Sequence, residues 1–358
     1  MSSETGRHTR REIFQQPALW PTTLDRVDAA FRQFDLKARF AGKRIVFTGA
    51  GTSAYAAQAI AVADRRCLAV PTTDLLLDAE RVLANADVLI SLARSGNSPE
   101  SAAVVERAHA LRPDLPQFAI TCNADSKLTH TKLNGIIFLD PRSNDESLVM
   151  TSAFSNLVLA GLTLLKRDTV GAAVAACAPR AQSLLTRIDQ ACHAAASKVH
   201  DRIVILSSSP LLGWADEARL KVLEMTAGAF PAMAETFLGL RHGPMSFVRK
   251  DTLVLALLST DPVRRLYERD LLKELRAKDL GILVGIAEAA ENDLFDAVIP
   301  AVSPGIADAL RTVFEIVAPQ LLGYHLSLMK GLNPDNPSPS GAINRVVQGV
   351  TIHRAQKP

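Results

Sequence analysis

Two strand–turn–helix passages of the same design constrain the fold more than any other feature of this chain. The first is Ile45-Val-Phe-Thr-Gly-Ala-Gly-Thr-Ser53, an apolar β-type run that ends in a glycine- and hydroxyl-rich turn before an alanine-rich helical stretch. The second is Asp87-Val-Leu-Ile-Ser-Leu-Ala-Arg-Ser-Gly-Asn-Ser98, followed by Pro99-Glu100 and another helical stretch. Glycine lets a backbone come close to a ligand, and Ser/Thr hydroxyls at a helix N-terminus donate to an anion. Two such turns at the carboxyl ends of strands in one sheet have the form of a cradle for a phosphate ester.

The rest of the chain supports an α/β reading. Apolar runs without strict alternation recur at Ile45–Thr48, Cys67–Thr72, Asp87–Ala93, Phe118–Cys122 and Ile136–Asp140, as expected for parallel strands covered on both faces. Leu148–Lys166 reads as a helix, and Ala172–Val199 as a helical connection broken at Pro179. A second series opens at Ile203-Val-Ile-Leu-Ser-Ser-Ser and returns at Leu253–Leu258, Ile282–Ile286 and Ala297–Val302. The expected fold is two doubly wound parallel-sheet units in tandem. The expected division is a helical extension over 1–42, a first unit over 43–170, a helical linker over 171–200, and a second unit with a docking tail over 201–358.

Length and charge narrow the function classes. At 358 residues there is material for two real cores, and a net charge of +3 gives no case for nucleic-acid or membrane binding. Met1–Gln16 is polar, without the apolar stretch of a secretory signal, so a cytoplasmic location is expected. Cys67, Cys122, Cys177 and Cys192 lack zinc-type spacing and read as reduced thiols; no metal is expected.

The second unit carries candidate chemistry. Glu217, Lys221 and Glu224 follow at i, i+4 and i+7 and share one helix face. Leu220, Leu223 and Ala227 flank that face on one side, and Ala218, Val222 and Met225 on the other. A narrow charged stripe in an apolar helix fits carboxylates lining a partly buried pocket, although a surface Glu–Lys pair has the same spacing. A carboxylate so placed can have its pKa raised and carry protons. His242 precedes Gly243-Pro244 and therefore lies on a turn, where it can exchange a proton near neutral pH or serve as a loop residue. His109, His130, His193, His200 and His325 have no motif around them and read as structural or surface residues.

Taken together, five segments resemble tandem sugar isomerase (SIS) proteins of the AgaS type, a group of galactosamine-6-phosphate deaminase/isomerases also described as tagatose-6-phosphate ketose/aldose isomerases. They are Thr48-Gly-Ala-Gly-Thr-Ser, Ala93-Arg-Ser-Gly-Asn-Ser-Pro-Glu-Ser, Leu220-Lys-Val-Leu-Glu-Met-Thr-Ala-Gly, Leu240-Arg-His-Gly-Pro-Met-Ser-Phe and Asn344-Arg-Val-Val-Gln-Gly-Val-Thr-Ile. The chain is also similar to the isomerase half of glucosamine-6-phosphate synthase. Nothing in it resembles that enzyme's glutaminase half, so glutamine is not expected as an ammonia source.

The resemblance implies a flavodoxin- or Rossmann-like fold for each unit, a sugar-phosphate substrate and no cofactor. It implies phosphate or substrate binding by Gly51, Thr52, Ser53, Arg94, Ser95, Gly96, Asn97 and Ser98, with Thr151, Ser152 and Gln348 at the same site. It makes Glu224 the base, Lys221 and Glu217 its companions, and His242 the ring-opening residue, reaching in from a neighbouring subunit of a homodimer or larger assembly. Where the synthase has a Schiff-base lysine near its C-terminus, this chain has Gln348, as the AgaS type does, which favours proton transfer over covalent imine capture.

Two other readings of the same residues stand beside this one. Gly49-x-Gly51-x-x-Ala54 also fits a dinucleotide fingerprint with Asp74 as the ribose acid. The second hydroxyl-rich turn and the lack of a hydride-site motif count against it. A non-catalytic sugar-phosphate sensor would share the cradle but have no use for the Glu224/His242 pair.

Overall fold

The computed structural model describes residues 5–199 and 201–353. The chain opens with three helices, α1 (Arg7–Phe14), α2 (Gln16–Phe34) and α3 (Leu36–Phe40). The first sheet unit runs β1 (Ile45–Gly49), α4 (Thr52–Ala61), β2 (Cys67–Pro71), α5 (Thr72–Leu77), α6 (Ala79–Leu83), β3 (Val88–Ala93), α7 (Pro99–Leu111), β4 (Gln117–Thr121) and β5 (Gly135–Phe138). A long helix, α8 (Ser152–Ala196), leads to the second unit. That unit runs β6 (Ile203–Ser207), α9 (Leu212–Met225), β7 (Ala232–Thr236), α10 (Phe237–Leu240), β8 (Leu253–Ala256), α11 (Pro262–Ala277), β9 (Ile282–Ala287), β10 (Ala297–Pro300), α12 (Asp308–Glu315) and α13 (Val317–Met329).

The two sheets repeat one topology. Their strand orders are β2-β1-β3-β4-β5 and, in the same sense, β7-β6-β8-β9-β10. Every neighbouring pair is parallel. β1, β3, β4, β6 and β8 are buried at each position, whereas the edge strands β2 and β7 are only partly covered. Helices on both faces account for apolar runs without alternation. In this order the chain turns back between β1 and β3. Their carboxyl ends lie side by side, and the two hydroxyl-rich turns open onto one crevice.

The strand-like runs read from sequence match β1, β2, β3, β4, β5, β6, β8, β9 and β10, with ends displaced by a residue or two. β7 was not anticipated, because Ala232-Met-Ala-Glu-Thr236 carries little β-branched or aromatic content and pairs only along one side, with β6. The expected break at Pro179 is also corrected. α8 passes through Pro179, and its one non-helical residue is Lys166, at φ −144° and ψ 53°. Ala178, Ala181 and Leu185 are buried around that proline, so core packing holds the turn that propensity alone would open. Among the described residues no helix is long and apolar enough to cross a membrane.

One apolar core runs through both units, including Phe47, Ile60, Phe154, Ile205, Trp214 and Leu321. Two close approaches set the position of α9 within it. A side chain at Gly213 would meet the backbone of Ala59 and Tyr55 on α4, at 2.8 and 3.0 Å. One at Gly323 of α13 would meet Met225 at 2.9 Å and the Lys221 carbonyl at 3.2 Å. α9 is thus pressed between the helix that follows the first turn and the last long helix of the chain. Gly213→Ala should therefore lower unfolding stability by about 1–3 kcal/mol in urea titration. Gly171→Ala, whose methyl would meet only the guanidinium end of Arg167, should be neutral or slightly stabilising.

Candidate active site

The crevice between β1 and β3 deepens into a cavity of about 330 Å³, within the range of small-molecule sites. Its floor is built by turns that only glycine permits. Gly51 sits at φ 55° and ψ −127°, and a side chain at Gly49 would lie 2.6 Å from the Ser53 backbone. Gly96 has φ 64°, and a side chain there would collide with Ser126. The second turn is held from behind: Asn123 donates to the Ser95 carbonyl at 2.9 Å and the Lys127 amide to Asn97 Oδ1 at 3.0 Å. Ser98 and Ser101 share a hydroxyl contact of 2.6 Å at the start of α7. The N-termini of α4 and α7 and the hydroxyls of Ser53, Ser95, Ser98 and Ser101 therefore surround one space suited to an anion.

α9 supplies the opposite wall. Glu224, with its side chain 24% exposed, reaches the cavity. Behind it Lys221 and Glu217 are wholly buried. Lys221 Nζ is ringed by oxygen: Glu224 Oε2 at 2.6 Å, the Met150 carbonyl at 3.1 Å, Thr52 Oγ1 at 3.2 Å and Glu217 Oε1 at 3.3 Å. Thr52 belongs to the first unit and Glu217, Lys221 and Glu224 to the second, so this cluster joins the two.

Burial sets the state of Glu217. Removal from water pushes Glu217 up to about 8, against the pull of Lys221, and the nearby charge of Glu224 adds to the rise. Its Oε2 is buried with no partner among the described residues, a position that costs a carboxylic acid less than a carboxylate. Burial works to depress the Lys221 ammonium, but Glu217 and Glu224 together outweigh it and hold the pKa above its ordinary value. Lys221 therefore stays cationic. Glu217, behind the cavity, keeps a proton at neutral pH; Glu224 lies 2.6 Å from Lys221 and faces the cavity.

The tail forms the rim. Ala342–Gln348 lines the cavity and is tied to the first unit through two arginines. Arg94 donates to the Arg345 carbonyl at 2.7 Å and to the carbonyls of Ser147 and Leu148 at 3.1 and 3.0 Å. Arg345 donates from Nε to the Asp145 carbonyl at 3.0 Å and from a terminal nitrogen to Asn144 Oδ1 at 3.0 Å. Burial, and then the charge of Arg345, lower the Arg94 pKa.

Of the residues singled out in sequence, Gly51, Thr52, Ser53, Arg94, Ser95, Gly96, Ser98, Glu224 and Gln348 line this one cavity. Lys221 and Glu217 lie directly behind it. The other four also do not line it. Asn97 is turned to the Lys127 amide. The Thr151 amide and Ser152 hydroxyl serve the buried Asp145 carboxylate. His242 lies exposed on its turn after α10, outside the cavity of its own chain. Of the other histidines, His325 bonds Asp189 at 2.8 Å and His130 pairs with Asp125 at 3.1 Å, while His200 lies outside the described residues. Asp74 is exposed on α5 and does not line the cavity. Sequence reasoning passed over Ser101, Met150 and Arg345. Ser101 could have been found as the hydroxyl one turn after Ser98, but nothing local marks the Met150 carbonyl as a lysine acceptor.

No family model matches the chain, and whole-length similarity carries its assignment. It is 38% identical to AgaS of Streptomyces coelicolor, over 98% of this chain and 96% of that one. The chain belongs to the AgaS family. The D-galactosamine-6-phosphate deaminase AgaS of Escherichia coli is 36% identical over 98% of this chain and 97% of its own length. Among solved structures, tagatose-6-phosphate ketose/aldose isomerase from Escherichia coli superposes with a TM-score of 0.85 at 32% identity, covering 98% of this chain and 97% of that one.

The raised Glu217 has a thermodynamic signature. Between its unfolded value near 4.5 and its folded value of about 8, the folded chain holds a proton that the unfolded chain has released. Raising pH through that window therefore disfavours the fold. In Glu217→Gln the contribution disappears, so the variant's melting temperature relative to the parent should climb from pH 5 to pH 9. A difference that stays flat across paired melts in that range would refute the assignment.

Proposed function

We propose that this AgaS-family chain is an amino-sugar-phosphate deaminase/isomerase that converts galactosamine 6-phosphate and water to tagatose 6-phosphate and ammonia. The observation that carries the reading is the meeting of the hydroxyl- and helix-lined turns of the first unit with the Glu224 carboxylate of the second in one cavity. The names of its full-length relatives point to the same chemistry.

The proposed course needs one base and one ring-opening group. The phosphate rests on the α4 and α7 N-termini with Ser53, Ser95 and Ser98 as donors. His242 of a neighbouring subunit moves a proton between the ring oxygen and the C1 hydroxyl, giving the open-chain aldose. Glu224 takes the proton from C2 while O1 gains one, which gives the enolamine, and returns it to C1 as the C2 amine gives up a proton. Both carbons of a cis intermediate face the same carboxylate, so one group suffices. The product carries an imine at C2, and water replaces its nitrogen as ammonia. Lys221 holds Glu224 in place and offsets charge that develops beside it. Among the described residues no lysine lines the cavity, and Gln348 faces it instead, in keeping with a route without covalent capture. A 2-hydroxy sugar phosphate put through the same proton transfer yields a ketose with no ammonia.

Parallel incubation with galactosamine 6-phosphate and glucosamine 6-phosphate, with ammonia and ketose phosphate assayed separately, tests the reading directly. Ammonia from the galacto substrate is expected; ketose formation without ammonia would make the chain a simple isomerase, and no product from either would leave a binding protein. Glu224→Gln should lower turnover by about a hundredfold or more while still binding sugar phosphate.

The shared site has its own test. His242→Asn and Glu224→Gln should each be nearly inactive. If two chains form the assembly and share sites, mixing and reassembling the two variants should recover about a quarter of parental activity, because half the random pairs carry one intact site of two. No recovery from two inactive variants would mean that the histidine does not reach in from the neighbouring subunit, and an active His242→Asn would place it outside the reaction.

A further inference from the structure

Thr52 stands in the first turn among the phosphate-binding candidates, yet its hydroxyl points the other way. A threonine hydroxyl has one proton to donate and two lone pairs. Here the proton goes to Glu217 Oε1 at 3.3 Å, and a lone pair receives Lys221 Nζ at 3.2 Å. Thr52 is only 4% exposed. An anion in the cavity needs donors, and this donor already serves a carboxyl on its far side. The serines of the two turns and the helix N-termini can hold a phosphate without it.

We propose that Thr52 is a positioning residue for the Glu217–Lys221–Glu224 set, and that its hydroxyl is not a phosphate ligand. Its place in the fold gives the role physical content. Thr52 opens α4, and α4 packs on α9 at Gly213 with no room for a side chain. The turn that receives the phosphate and the helix that carries the base are therefore coupled through one hydroxyl as well as through backbone packing. Lys221 has three N–H bonds and four oxygens around it. Thr52 and the Met150 carbonyl take up two directions, leaving the shortest contact, at 2.6 Å, for Glu224. Without the hydroxyl, Glu217 loses a donor and Lys221 an acceptor. The ammonium that holds the Glu224 carboxylate is then no longer fixed from the α4 side.

The proposal rests on the deaminase/isomerase reading for its kinetic test, so that test is paired with one that needs no turnover. Thr52→Val keeps the shape and removes the hydroxyl, while Thr52→Ser restores it. With whichever amino-sugar phosphate the parent consumes, Thr52→Val should lose kcat by about ten- to a hundredfold and shift the pH profile of kcat. KM, and the Kd of the unreactive galactitol 6-phosphate, should stay within about threefold, and Thr52→Ser should keep kcat within about threefold. Weakening of galactitol 6-phosphate binding by about tenfold or more with kcat retained would make Thr52 a phosphate ligand and overturn the proposal, as would a Thr52→Val enzyme indistinguishable from the parent.

The second measurement is carbon-13 titration of the Glu217 carboxyl, its resonance identified by loss in Glu217→Gln. Thr52→Val should move its midpoint upward, because a donor to the charged form has gone, and Thr52→Ser should leave it in place. An unmoved midpoint would overturn the proposal even if the parent consumes no amino-sugar phosphate. A parent that turns over neither substrate but shows the shift would end the deaminase reading and leave the positioning role standing. Should Thr52→Val fail to fold, Thr52→Ala carries both measurements with the same expected and contrary results.

Discussion

A lysine ammonium with no exposure to water is the constraint on which this architecture turns. A buried cation is tolerated only where oxygen atoms surround it closely, since its loss of hydration amounts to several kcal/mol even after relaxation. Lys221 meets that condition by drawing partners from three places: Glu217 and Glu224 on its own helix, the Thr52 hydroxyl on α4, and the Met150 carbonyl before α8. Satisfying one charge thereby brings Glu224, the first hydroxyl-rich turn and the connecting segment into register. Glycines at 213 and 323 make this possible by letting α4 and α13 close on α9 without intervening side chains.

The connecting segment from Asn144 to Ser152 is a second hub. It presents the Met150 carbonyl to Lys221, and the Ser147 and Leu148 carbonyls to Arg94. It is held by two buried carboxyl groups. Glu12 of α1 accepts the Glu146 amide at 2.6 Å, and Asp145 accepts the amides of Thr151 and Ala153 at 2.7 and 2.9 Å. Burial raises both, and the charge of Asp145 raises Glu12 further. The N-terminal helices thus do more than extend the chain: α1 reaches the segment that supports the buried lysine. Arg94 and Arg345 complete the enclosure by tying the tail to that same segment.

Much of this was legible in sequence. The two glycine- and hydroxyl-rich turns announce themselves because their backbone geometry admits few other residues. Glu217, Lys221 and Glu224 announce themselves because 3.6-residue periodicity places them on one face of an apolar helix. What failed to show locally were features whose cause is packing. Pro179 looks like a break and is not one, since its neighbours are buried in the core. Thr151 and Ser152 have the right chemistry for a phosphate but lie at a buried helix start serving Asp145. Thr52 stands among the hydroxyls of the first turn, yet its own hydroxyl turns toward the other unit.

The sequence by itself determined the class of fold, the two turns, the charged stripe and the kind of ligand they suit, because backbone sterics and helical periodicity are local properties that each segment carries alone. Tertiary structure decided that Glu217 is lifted above the usual carboxylate range, which hydroxyls face the cavity, and how the tail encloses it. Those outcomes depend on depth from solvent and on partners more than a hundred residues away, and neither quantity exists until the two sheets have packed together.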